Sequence, residues 1–256
     1  FQENTAAEDS GFAPAGLKTA ASGSPTISQN TFTNNRYGVK VDSATPSFTN
    51  NSFQGTTNAA VTLTGNAAAS VFTGNTASGN GKNGINISGS ISGNASLSAN
   101  LPYTGSLTVS SGILTIPAGT LFKSLALTVN GAVDIQGTTI NPVVFTDLSD
   151  DSYGGDFTSN GDNSALCTSD PANAVCPQPG SWGRATIAGA ATSTVNNAVI
   201  RYGNSSPFFG ALYVNGGRAE ITNTTLEHNQ RAGLLIQNGG VATFANGTVR
   251  NNETGI

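Results

Sequence analysis

Six of the chain's fourteen acidic residues, Asp147, Asp150, Asp151, Asp156, Asp162 and Asp170, fall in one stretch from Asp147 to Gly180. Carboxylates gathered with amides such as Asn160 and with backbone carbonyls suit a hard cation, since calcium takes six to eight oxygen ligands. No lysine or arginine lies inside the stretch, and Arg184 is the first to follow it. Carboxylates held together without a counter-charge repel, and a calcium ion would relieve that. Asp147, Asp150, Asp151, Asp156, Asn160 and Asp162 are therefore the expected ligands of a bound Ca2+. The plainer alternative is a solvated acidic loop, and the spacing departs from that of an EF-hand.

The same stretch holds both cysteines, Cys167 and Cys176, in a proline-rich run. A zinc site wants four ligands, and the one histidine, His228, lies far along the chain, so a loop-closing disulfide is the expected state. That chemistry points to an exported protein. Catalytic chemistry has less to stand on, because Asp42, Asp134, Glu220, Glu227 and Glu253 are scattered over the chain. A general acid and base must both reach one bond. Glu227 and His228 are neighbours that would point to opposite sides of a strand, so a surface pair is expected rather than a dyad. Arg201 and Tyr202 fit a turn, and no catalytic residue is assigned. Phe208 and Phe209, after Pro207, are a candidate platform for stacking sugar rings, with packing of an outer loop as the alternative.

The elements that must position these groups are repeats. Thr26–Val41 returns from Ser47 onward: Pro25 and Pro46, Ile27 and Phe48, and Phe32 and Phe53 each stand 21 positions apart. A fixed period of that size is the mark of a solenoid. Apolar residues alternate in short segments cut by Asn and Gly, which no helical spacing fits. Asn30, Asn51 and Asn75 take the same place in three successive coils, and stacking would set them about 4.8 Å apart. Later units, Val195–Ile200, Ile221–Leu226 and Phe244–Val249, carry Asn197, Asn223 and Asn246. All six asparagines are expected to form a hydrogen-bonded ladder inside turns.

Residues 1–23 lack a sustained period and are expected to be a polar lead-in, leaving 24–256 as one continuous solenoid with the loop 147–180 inserted. Charged residues make up 9% of the chain against roughly 25% in an average globular protein. With a net charge of −4, the chain lacks the clustered cations that nucleic-acid binding needs. Hydrophobic residues at 37%, regularly placed, can bury a core that disordered chains cannot build. No apolar run approaches the roughly 20 residues of a membrane-spanning helix.

The run Leu114–Thr120, Leu127–Gly131, Asn141–Thr146, an Asp/Gly loop and Gly180–Gly183 resembles, in order and spacing, the β-helix modules of secreted and cell-surface bacterial proteins. The broader likeness is to right-handed parallel β-helices of the pectate-lyase-like superfamily. The resemblance implies an all-β, right-handed parallel β-helix with coils of about 21–26 residues and one long outer loop. It also implies secretion or a cell-surface location, and the scattered acids of the coils make a non-enzymatic structural or adhesive role the expected one. The partners expected are other copies of the chain, stacked head to tail, or a cell-surface or matrix glycan. A carbohydrate-active enzyme or glycan-binding relative is the alternative.

Overall fold

A computed structural model describes residues 15–19, 23–159, 176–206 and 208–254. The short alternating segments form strands, and every strand pairing is parallel, joining one coil to the next. One face is a continuous column of nine strands running from Ala15–Thr19 through Tyr37–Val41, Ala59–Thr64 and Leu121–Val129 to Ala185–Ile187, Gly210–Asn215 and Ala232–Gln237. Strand Ala15–Thr19 pairs with Tyr37–Val41, so the solenoid begins ahead of the expected start at residue 24. Its alternating Leu17 was too little, amid polar and glycine residues, to reveal a period.

Two further columns complete each coil. In the first coils they are Thr26–Ser28, Ser47–Thr49 and Val71–Thr73, and beside them Thr31–Thr33, Ser52–Gln54 and Thr76–Ser78. In the last coils they are Thr192–Asn196, Arg218–Thr222 and Val241–Ala245, then Ala198–Arg201, Thr225–Glu227 and Thr248–Arg250. The coils between are shorter, with contacts joining residues 19 apart, such as Ile113 and Asn94. The register sets like on like: Ile27 over Phe48 over Phe72, and Val39 over Val61. Inward aromatic rings therefore stack, Phe48 on Phe72 at 4.4 Å and Phe32 on Phe53 at 5.1 Å. Phe244, in the last coil, is half-buried and packs against the core.

Strand Leu121–Val129 bends at Ser124, whose φ is 50°, and serves two faces at once. Its first residues pair with Val143–Thr146 and its last with Ala185–Ile187. The long insertion therefore leaves the stack at a corner that the preceding coil turns within a single strand.

Candidate functional site

Two corners of each full coil follow one rule. An inward apolar residue is followed by an outward one, then by a residue in the left-handed region, then by one whose side chain is buried in the turn. Asn, Asp and Gly tolerate the left-handed position. Asn50 has φ 53° there, and Gly74, one coil on, has φ 66°. The next position needs an amide or hydroxyl, because tight turns leave backbone groups unpaired. Asn51 fills it: its Oδ1 accepts from the Asn30 backbone N–H at 3.0 Å, and its Nδ2 donates to the Ile27 carbonyl at 2.8 Å and to Asn75 Oδ1 at 3.0 Å. The ladder through Asn30, Asn51 and Asn75 is present and extends to Asn100.

Asn197, Asn223 and Asn246 do not continue it. They stand one place earlier, in the left-handed position, with φ of 47°, 51° and 54°. The ladder place in those coils belongs to Ala198, Thr224 and Gly247, and the Thr224 hydroxyl accepts from the Ala198 N–H at 3.3 Å. A second ladder, which the sequence reading missed, runs along the other corner. There Thr56 bonds Asn80, and Asn229 bonds Asn252 at 2.9 Å.

That second corner is where the insertion docks. Lys123, Thr146, Arg201, Glu227 and Arg250 occupy the outward place of successive coils. Asp150 folds in from the insertion to join them, so the signs alternate along the stack. The Asp150 carboxylate accepts from the Thr146 and Ser152 hydroxyls and lies 3.6 Å from Arg201 Nε, and the fully buried Lys123 ammonium donates to the Asp150 carbonyl. Glu227 lies 3.6 Å from the same Arg201 Nε and 2.6 Å from Arg250 Nη2. Desolvation pulls the Arg201 pKa down, but Asp150, Tyr202 and Glu227 outweigh it and hold the value above the ordinary one. Burial raises the Tyr202 phenol against the opposing pull of Arg201, to which it is hydrogen-bonded at 2.6 Å. Arg201 is thus a fixed cation, unable to act as a base, and the cluster binds loop to coil.

Two expectations change here. The acidic stretch does have cationic neighbours, Lys123 and Arg201, supplied by other coils and invisible in local sequence. Glu227 is 5% exposed and faces two arginines, while the His228 ring lies tilted against that of Tyr202 at 5.7 Å, so they are not a surface pair. Of the expected calcium ligands, Asp150 serves Arg201, Asp147 Oδ1 accepts from the Ser124 hydroxyl at 3.0 Å, and Asp156 is exposed. Among the described residues no three acidic, histidine or cysteine side chains gather in a group that could hold a metal. Asn160, Asp162 and Cys167 lie outside the described residues, and Cys176 is buried.

Phe209 packs against the stack, with its ring 3.8 Å from the Arg184 guanidinium and 5.2 Å from Tyr213, while Phe208 is 77% exposed. Only Phe208 is free to stack on a ligand.

A family model described as a right handed beta helix region matches residues 2–101, and the parallel rungs of the structure carry the pattern on through Thr248–Arg250. The fold is a right-handed parallel β-helix. Neither the curated proteins nor the solved structures contain a significant match. Beside the insertion, the β-helix forms a cleft of about 520 Å3 lined by Asn83, Leu101, Thr120, Ile140, Tyr153 and Asp156. On another face a hollow of about 370 Å3 holds Asp134 and Glu220, with Thr194 between them in register.

Proposed function

We propose that this β-helix works outside the cell as a non-enzymatic structural or adhesive rod, its partners being other copies of itself or a surface or matrix glycan. The observation carrying this reading is the outward face of the first coils. Thr26 and Ser47 stack in register, as do Ser28, Thr49 and Thr73, and Thr31, Ser52 and Thr76. Rungs recur every 4.8 Å or so, which makes these columns a regular, uncharged lattice of hydroxyl donors and acceptors. Such a surface suits the hydroxyls of a glycan or the like face of another copy. Because every rung pairs in parallel with the next, copies of the rod could also stack head to tail. A Cys167–Cys176 disulfide and calcium bound by the acidic stretch Asp147–Gly180 belong to the same proposal. Adhesion to glycan-coated surfaces, with self-association followed by light scattering, tests it; a chain that stays monomeric at high concentration and adheres to no glycan would sink it.

A carbohydrate-active enzyme is the second reading, and one observation favours it. Asp134 and Glu220 share an outward column two rungs apart, which sets their backbones roughly 9.6 Å apart. Carboxyl groups of inverting glycosidases stand about 6.5–9.5 Å apart. Polysaccharide turnover that is lost in both Asp134→Asn and Glu220→Gln would move the assignment to this reading.

A further inference from the structure

A smaller hollow of about 170 Å3 lies on the continuous nine-strand face, lined among others by Tyr37, Asn58, Ala59, Thr62, Lys82 and Asn86. Its shape follows from the register. Lys40, Thr62 and Asn86 stack in one outward column. A β-bulge between Lys82 and Ile85 shifts the strand so that Lys82 sits over Ala59, a small residue that leaves a notch between the lysine stem and the Tyr37 ring. Bulges re-aim side chains and are frequent beside binding sites.

Arg36 lies over the Tyr37 ring at 5.9 Å and adds a further cation beside the notch, while Thr62 and the two lysines are uncommitted. Thr62 is 8% exposed, and its hydroxyl, at the floor, has no hydrogen-bond partner. Such a group costs stability and is retained at sites of interaction. Neither Lys40 nor Lys82 takes part in an ion pair among the described residues, in a chain with only ten lysines and arginines. We infer that this notch binds one sugar unit bearing an anionic substituent, a carboxylate or a sulfate. Lys82 faces the oxyanion, the Thr62 hydroxyl and the Asn86 amide bond it or a neighbouring ring hydroxyl, and Tyr37 offers its face to the sugar's C–H groups. Ammonium-to-oxyanion hydrogen bonds are about twice as strong as neutral ones. The small volume admits a single ring, so the site recognises a substituent along a glycan and catalyses nothing. It rests on the adhesive reading and supplies its ligand class.

The test is calorimetric titration of the whole chain with glucuronate, glucose 6-sulfate, glucose and inorganic sulfate. At least one charged sugar should bind and glucose should not, and the tighter of the two identifies the substituent. Lys82→Ala should weaken binding at least tenfold. Tyr37→Ala should weaken the charged sugar while leaving inorganic sulfate unaffected. Thr62→Val should weaken binding yet melt at the same or a higher temperature, because it removes an unpaired buried hydroxyl; a merely structural threonine would not give that split. No binding by either charged sugar, equal binding of inorganic sulfate and glucose 6-sulfate, or unchanged affinity in Lys82→Ala would overturn the inference. If Lys82→Ala retains adhesion to glycan surfaces, this site fails and the adhesive reading stands.

Discussion

Replacing Asn51 by alanine removes the centre of the first ladder. The side chain is 1% exposed, so water cannot take over its bonds. Two backbone groups lose their partners, the Ile27 carbonyl bonded at 2.8 Å and the Asn30 N–H at 3.0 Å. An orphaned buried group costs about 1–3 kcal/mol, and the half-buried Asn30 recovers some of that from water, so Asn51→Ala should cost about 3 kcal/mol. Asn51→Thr should recover at least half. Its hydroxyl can do what Thr224 already does in a later coil, accepting from the N–H of Ala198 at 3.3 Å. Because solenoid coils unfold in part as separate units, urea melts should be read together with hydrogen exchange at Asn30 and Ser52. If Asn51→Ala lies within about 0.5 kcal/mol of the parent and exchange at those amides is unchanged, the ladder does not hold the turns as argued here.

Asn223 answers to a different rule. With φ 51°, Asn223→Ala should cost about 1 kcal/mol and Asn223→Gly much less, the reverse of a ladder position, as thermal melts of the pair would show. Asp150→Ala should cost about 3 kcal/mol, since it strips buried Arg201 and the Thr146 and Ser152 hydroxyls of their carboxylate partner while leaving the Lys123 bond to the backbone carbonyl, and exchange in residues 147–157 should rise while the coils stay protected. Burial raises the Tyr103 phenol above its ordinary 10.0, against a weaker opposing pull from the Ser98 backbone. The unfolded chain therefore ionises first, and stability, whole below pH 10, falls above it by about 1.4 kcal/mol per pH unit. Tyr103→Phe should flatten that slope, and equal slopes in the two proteins would contradict it. Millimolar calcium should raise the melting temperature relative to chelator if the acidic stretch Asp147–Gly180 is a cation site, and an unchanged melt removes that proposal.

The coil stack could be read from the chain because its information is periodic: Ile27, Phe48 and Phe72 are paired in register in the structure as their spacing implied. The later ladder was misplaced by one residue for a chemical reason. Asparagine suits both the left-handed position and the ladder position beside it, so Asn197 read alone fits either. Gly74, directly before Asn75, was the available clue, since glycine marks the left-handed place. The docking cluster had no local signal. Asp150, Arg201 and Glu227 come from the insertion and from two different coils, and only the stacking register brings them together.

The corner between Val143–Thr146 and Ala185–Ile187 has a consequence for how such a protein changes over time. The strands on either side of it pair with their neighbours above and below, and the joining segment touches the stack through its docked first part, Asp147–Ser159. Lengthening that segment therefore costs only the slow logarithmic growth of loop closure. With the docked Asp150 kept in place, the corner is in effect a socket, where a new recognition element could be grafted or exchanged while the rod keeps its pitch.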